Sequence, residues 1–408
     1  MQTRLAAPYR NTAEGIEAES ILRSCVHCGF CLATCPTYQL LGNELDSPRG
    51  RIYLIKQVLE GATPSAQTLL HLDRCLSCRA CETTCPSGVR YGRLLDIGRE
   101  LVARQTGRPS LKRWQRQLLI AGLRRPRLFK LGLAIGQHSR PILQGLAPAL
   151  AEKIPLPVAT INWQPRSHPR KMILHEGCVQ PGLAPSIHLA TRRLLDACGI
   201  EAISPPPQCC GALAHHLGDS HCSHDDMRRL IDTVWPLIEA GAEALVSTAS
   251  GCGAMLADYA TLLQDDPAYA DKARRLHALF RDISDVLRQE LPTLQARLTP
   301  SRPGPIVFQA PCSLQHALRR KGKVEALLTE LGYTLLPVAD AHLCCGSAGT
   351  YSLLQPEIAT ALRRNKLGHL LANQPCCIAT ANIGCMQHLQ AASPIPVRHW
   401  VELVAEAL

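Results

Sequence analysis

Residues 25–36 read CVHCGFCLATCP and residues 75–86 read CLSCRACETTCP, two copies of one spacing, C-x2-C-x2-C-x3-C-P. Three thiolates two residues apart on a tight turn can each face one iron of a cube, and the proline carries the fourth cysteine away. In two-cluster ferredoxins that fourth cysteine serves the other cluster. The spacing therefore predicts two [4Fe-4S] cubes, one on Cys25, Cys28, Cys31 and Cys85 and one on Cys75, Cys78, Cys81 and Cys35. Crossed ligation forces the cubes to sit close together, and such pairs serve electron movement.

Zinc and disulfides are the competing uses of cysteine. Zinc sites take C-x2-C pairs separated by a longer loop, whereas each run here packs four cysteines into eleven residues. A disulfide framework suits a short secreted chain, but these 408 residues open with a polar, acidic stretch from Arg10 to Glu19 and carry no signal-peptide pattern. The twenty cysteines read as ligands in a reducing compartment. With 46% hydrophobic residues the chain can build two or three cored domains. It has no uninterrupted run of eighteen apolar residues, so no transmembrane helix is expected.

Charge is uneven. Between Arg99 and Lys130 stand ten basic residues against the single acid Glu100, +9 of a total formal charge of +11. Trp114, Leu118, Leu119, Ile120, Leu123, Leu128, Phe129, Leu131 and Leu133 interleave with them. A basic amphipathic segment of this kind suits an anionic membrane surface or an acidic partner, and equally a solvated helical linker. No nucleic-acid recognition motif accompanies the charge, so no nucleic acid is expected.

The first hundred residues read as helices around the cysteine loops, with Ile52, Ile55 and Leu59 at helical spacing and inserted helices filling the fifty residues between Cys25 and Cys75. A linker dotted with Pro148, Pro155, Pro157 and Pro165 then marks a boundary. Beyond it the chain repeats itself. MILHEGC ends at Cys178, EAIS precedes Cys209-Cys210-Gly211, and ALVSTASGC ends at Cys252. The second copy runs PIVFQAPC to Cys312, the strand-like YTLLPV, Cys344-Cys345-Gly346, and CCIATANIGC to Cys385. Matching cysteines lie 134, 135, 135 and 133 residues apart, a duplicated α/β unit.

Apolar strands ending at cysteines and followed by helices put the thiols at strand carboxyl ends, where open α/β sheets place their sites. Each copy offers four soft ligands, Cys178, Cys209, Cys210 and Cys252 or Cys312, Cys344, Cys345 and Cys385, enough for a further iron–sulfur cluster. Alternatively they are small buried residues kept from a common ancestor. The fold expected is multidomain, α+β and α/β. An α-helical two-cluster ferredoxin domain occupies residues 1–107 and a basic amphipathic linker 108–166. Cysteine-rich α/β repeats with a Cys-Cys-Gly turn follow at 167–300 and 301–408.

Paired ferredoxin runs followed by two Cys-Cys-Gly modules resemble the family that includes heterodisulfide reductase subunits and the iron–sulfur subunits of anaerobic glycerol-3-phosphate dehydrogenase and glycolate oxidase. The wording SCVHCGFCLATCPTY, LDSPRGRIYLIK and DRCLSCRACETTCPSGVRYGRL is most similar to the glycolate oxidase branch, and the likeness covers nearly the whole chain. The resemblance implies a hetero-oligomer in which a flavin-bearing subunit oxidises glycolate to glyoxylate. This chain would pass the electrons on to a quinone or other acceptor, from the cytoplasmic face of the inner membrane. Heterodisulfide-reductase-type modules carry a fifth cysteine in a C-x2-C pair, and here Met255 and His388 stand in its place, with His388 left as a reserve ligand.

The chain shows no G-x-G-x-x-G fingerprint, P-loop or nucleophile elbow, so no flavin and no substrate-oxidising site of its own are expected. Lys56, Arg74, Arg79 and Arg90 flank the cysteine runs and could raise cluster potentials or simply be solvated. His27 sits between two ligands, and His175, His215, His216 and His342 lie near the Cys-Cys-Gly turns. Two alternatives to the glycolate reading stand. One is a thiol-disulfide or heterodisulfide reductase whose Cys-Cys-Gly modules do the chemistry; the other is the sibling subunit of a lactate or glycerol-3-phosphate dehydrogenase.

Overall fold

The computed structural model describes residues 1–146, 163, 166–299 and 303–408. The proline cluster at Pro148, Pro155, Pro157 and Pro165 lies outside the described residues. In the N-terminal unit four helices, Ala13–Ser24, Pro48–Leu59, Ala66–Asp73 and Tyr91–Thr106, frame the cysteine loops. Their starts are written locally. The Thr12 side chain accepts from the Gly15 N–H, the Ser47 hydroxyl accepts from Gly50 ahead of Pro48, and Ser65 closes a capping box with Thr68. Leu22, Ile55, Leu59, Leu72, Leu94, Leu95 and Val102 fill the shared core.

The basic segment is a helical hairpin, Ser110–Leu123 and Pro126–Leu146. Ile120 packs with Ala214 and Leu217 of the first repeat, and Phe129 lies over Gly182. The run of charge divides in two. Arg99 is buried, and Arg108, Arg116 and Arg124 pair with Asp73, Asp73 and Asp226. Arg104 stays exposed beside Glu100, and Lys112, Arg113, Arg125, Arg127 and Lys130 face out, beside exposed Leu111, Trp114, Leu118, Leu131, Ile135 and Ile142.

Both repeats are parallel sheets with crossover helices. Strands β1 (Arg170–His175), β2 (Ile200–Ile203), β3 (Ala244–Ser247) and β4 (Phe280–Asp282) order as β2-β1-β3-β4, and β5 (Ile306–Gln309), β6 (Cys377–Thr380) and β7 (Val397–His399) order as β5-β6-β7. The strand expected at YTLLPV reduces to one parallel bridge, Ile306 with Leu335, in the place that β2 holds in the first repeat. Pro337, two residues on, has no N–H to extend the ladder. Nor do the strands run to the cysteines. β1 and β5 stop three residues short of Cys178 and Cys312, and Cys252 and Cys385 sit in the first turns of the helices Ser250–Leu262 and Ile383–Gln390.

One apolar core runs through both repeats, with Trp400 wholly buried in it. The N–H groups of Ser250 and Gly251 donate to Ala381 O and Asn382 Oδ1, and His399 Nε2 lies 3.0 Å from Thr248 O. The N-terminal unit packs against helices and loops of both repeats. Arg79 reaches Asp258 at 2.6 Å, Thr83 Oγ1 meets His316 Nδ1 at 2.8 Å, Asp96 holds His215 at 3.0 Å, and Tyr351 donates to Arg74 O at 2.9 Å.

Candidate iron–sulfur and thiolate sites

The two cysteine loops share one backbone. His27 and Ser77, at matching positions, have φ of 57° and 53°, and Gly29 and Arg79 have 84° and 58°. Left-handed turns at non-glycine residues persist only where the surroundings hold them. Alternating right- and left-handed residues turn successive N–H groups to one side, the concave nest that suits anionic iron–sulfur groups. Glycine is absent from three of these four positions, so the strain belongs to the site.

Cys25, Cys28, Cys31 and Cys85 line one cavity and Cys35, Cys75, Cys78 and Cys81 line another. Cys81 and Tyr91 border both, which sets the cavities side by side. The second therefore offers four thiols and the first four with Cys81 at its border, and each donor set fits a [4Fe-4S] cube. Burial pushes the Cys31 thiol up to about 11, and burial followed by neighbouring thiols drives Cys78 and Cys81 well above the ordinary range. Metal binding has to displace those protons.

The two cavities differ in their surroundings. Around the first, Cys28 is exposed and Val26 and Phe30 are 66% and 62% exposed. Around the second, Tyr91 donates to Cys75 Sγ at 3.5 Å, as does the Ser77 N–H at 3.4 Å, and Thr37 Oγ1 lies 3.3 Å from Cys35 Sγ. Arg51, 1% exposed, donates to Thr37 Oγ1 and to His71 O, and Arg99 holds the Leu72 and Cys75 carbonyls. The wholly buried Asp46 accepts from Arg51, His71 and Arg74.

Sequence reasoning picked Lys56, Arg74, Arg79 and Arg90 as flanking cations; they pair with Glu60, Asp46, Asp258 and Glu17. It passed over Arg51 and Arg99. The available signal was an arginine on the same helix face as Ile52 and Ile55, since an inward cation needs a buried partner.

Each repeat gathers its four cysteines. In the first, the side chains of Cys178 and Cys209, Cys209 and Cys210, and Cys210 and Cys252 interact in turn. In the second, Cys312 Sγ and Cys344 Sγ are 3.8 Å apart, and Cys345 joins Cys344 to Cys385. Gly211 and Gly346 turn at φ 86° and 91°, and a side chain at Gly346 would strike the Ala359 carbonyl at 2.6 Å. The second cage borders the second cube cavity, with Leu76 packed on Cys344 and Cys78 and Cys312 in the same apolar cluster.

Lys366, 2% exposed, lies near all four thiols of that cage and donates to Asp340 O and Ala341 O. The residue at the matching offset in the first repeat is Ile231. His388 spends its Nε2 on Ala359 O at 3.3 Å, Met255 is buried in the core, and His215 and His216 face the N-terminal unit. His27 packs edge-on to Tyr53, while His342 contributes its carbonyl to His316 Nε2.

Known families match the same regions. A 4Fe-4S dicluster domain matches residues 21–89, and a cysteine-rich domain matches residues 172–257 and 306–390. The chain is 49% identical to the glycolate oxidase iron-sulfur subunit of Escherichia coli strain K12, over all of this chain and 99% of that protein. It is 31% identical to the probable glycolate oxidase iron-sulfur subunit of Bacillus subtilis strain 168, over 91% and 89% of the two chains. A lactate utilization protein A of Exiguobacterium is 28% identical over 57% of this chain and 95% of its own length. Dicluster loops, two cysteine-rich repeats and a full-length likeness place the chain in the family of glycolate oxidase iron–sulfur subunits.

Proposed function

We propose that the chain is the electron-transfer subunit of a glycolate-oxidising complex, receiving electrons from a flavin-bearing partner and delivering them to a quinone or other acceptor. The observation that carries this reading is the pair of adjoining four-thiol cavities with Cys81 and Tyr91 between them. A [4Fe-4S] cube accepts and releases one electron at a time, so two side by side split the electron pair of a hydride. Cys25, Cys28, Cys31 and Cys85 would hold the first cube and Cys75, Cys78, Cys81 and Cys35 the second. The Tyr91 and Ser77 donors and the buried guanidiniums stabilise added negative charge at the second.

Should the repeats carry a further cluster, the second repeat is its place, because Cys312, Cys344, Cys345 and Cys385 adjoin the second cube cavity and have the Lys366 cation beside them. Substrate oxidation belongs to the partner in this reading. The outward residues of the hairpin, five cations beside leucines, isoleucines and Trp114, fit an anionic lipid surface on the cytoplasmic face of the inner membrane. No helix of the described residues is long and apolar enough to cross a membrane.

The test is an anaerobic purification with and without the flavoprotein partner. About eight irons per chain, counting four per cube, and glycolate-dependent dye reduction only in the complex support the reading. Disulfide turnover by the chain alone, or reduction driven by lactate in place of glycolate, overturns it.

A further inference from the structure

Two exposed apolar faces of different character stand on the chain. The hairpin mixes leucines, isoleucines and Trp114 with five outward cations, a composition that suits lipid. The other face surrounds the first cube cavity. Val26 and Phe30 stand exposed two residues to either side of the exposed Cys28, and exposed Tyr53 extends the face through its edge-on contact with His27. The arginines around it are matched, Arg23 with Glu19 at 2.7 Å, Arg49 with Glu44 at 2.6 Å and Arg90 with Glu17 at 3.3 Å. Apolar side chains clustered in water beside a ligand thiol mark an interaction surface. With its arginines neutralised it gives anionic lipid little to hold, whereas the core of a protein–protein interface is depleted in charge and rich in aromatic residues.

The two cube cavities differ in what a partner can reach. Cys35, Cys75 and Cys81 of the second are buried, and Leu76, beside Cys78, packs against Cys344 and Tyr351 of the second repeat. Electron tunnelling falls steeply with distance, so a protein partner exchanges electrons at the first. Local charge sets the direction. Tyr91 and the Ser77 N–H donate to Cys75 Sγ, and the buried Arg99 donates to the Leu72 and Cys75 carbonyls and the Ser77 hydroxyl. At the first cavity the guanidinium among the lining residues is Arg49, neutralised by Glu44. Donors and nearby positive charge favour the reduced form of a cluster, so the second position draws electrons from the first. The second loop also lies on the hairpin's side, because Asp73, two residues before Cys75, holds Arg108 and Arg116.

We propose that the face formed by Val26, Phe30 and Tyr53 is where the chain takes up electrons, the surface that the flavin-bearing subunit covers with an apolar patch of its own. Electrons then run inward from it to the second cysteine loop and the hairpin side. The inference rests on the glycolate reading above and adds which neighbour each face takes, protein at the first cube cavity and lipid at the hairpin. The partner's reduced flavin supplies the two electrons that the acceptor finally takes.

Hydrogen exchange of the anaerobically purified full chain, alone and with the flavin-bearing subunit, tests this. Amides of residues 26–30 and 49–53 should slow by about tenfold or more in the complex, and anionic vesicles should leave them unchanged. Tyr53→Glu, which lies off the ligand loops, should weaken binding of the subunit by about tenfold or more while iron content and cube resonances stay at the parental level. Parental affinity in Tyr53→Glu, or protection of residues 26–30 by vesicles, overturns the proposal. Protection confined to other segments, with glycolate-driven dye reduction intact, overturns this face and leaves the glycolate reading standing. A flavin-bearing subunit that does not bind the parent chain removes both. The exchange data on the unsubstituted chain decide by themselves if the variant loses iron.

Discussion

Asp46→Asn is the sharpest probe of how the second cysteine loop is held. Asp46 is wholly buried and accepts from Arg51 at 3.4 Å, His71 at 3.0 Å and Arg74 at 3.0 Å. Asparagine keeps the shape and one acceptor oxygen but removes the charge, leaving the Arg51 guanidinium, 1% exposed, with only the Thr37 hydroxyl and the His71 carbonyl. Breaking a buried pair by neutralising one partner costs about 3–5 kcal/mol. The Arg74 side chain is 29% exposed, and its share of the loss is screened to about 0–1 kcal/mol. The oxygen that asparagine retains trims the total to roughly 3–4 kcal/mol. A denaturant melt of the anaerobic protein, followed by cluster absorbance, reads this directly. Glu19→Gln, which neutralises the partner of the exposed Arg23, is the control and should stay within about 0.5 kcal/mol. A loss below about 1 kcal/mol for Asp46→Asn would refute the claim that this buried network braces the second loop.

Cys28→Ser should lower bound iron by about four per chain and abolish glycolate-driven dye reduction in the complex while the partner's flavin stays reducible; parental iron would cancel the ligand assignment. Neutralising Lys112, Arg113, Arg125, Arg127 and Lys130 together should release the complex from anionic vesicles at low salt, and retained binding would move the membrane contact elsewhere. The Asp96–His215 contact between the N-terminal unit and the first repeat should depend on pH. Burial acts to lower the His215 pKa, but the Asp96 carboxylate overrides it and holds it above 6.5, while burial opposes and His215 prevails in holding Asp96 down to about 2. The His215 contribution is complete below 6.5 and fades as pH rises through its raised value, and that of Asp96 is present above 3.8 and fades towards 2. Hydrogen exchange in the helices Tyr91–Thr106 and Ala212–His216, corrected for intrinsic rates, should accelerate from pH 6 to 8.5, and no change would remove the pair from the interface.

The cysteine spacing was enough to locate the iron–sulfur loops, because thiolate ligands of a rigid inorganic cage must recur at fixed intervals. The constant offset between Cys178, Cys209, Cys210, Cys252 and their second copies was enough to announce a duplicated α/β unit, since insertions inside such a unit would have shifted it. Local chemistry also wrote the helix starts at Thr12, Ser47 and Ser65. The bridge at Leu335 was misread as a strand because an apolar run says nothing of whether a neighbouring ladder is free to receive it.

What folding alone decided is which charges work inside and which outside. A basic run reads the same whether its arginines meet water or Asp73 and Asp226, and only the packed chain separates Arg99, Arg108, Arg116 and Arg124 from the exposed Arg104 and the five hairpin cations that face out. Likewise His175 and Gln309 are single letters in matching strands, and the orphaned nitrogen of the one and the satisfied amide of the other appear only with their neighbours in place. Ligand spacing is a short-range covalent property that a sequence carries in full. The partner of a buried charge is set by segments tens or hundreds of residues away, and so belongs to the tertiary structure.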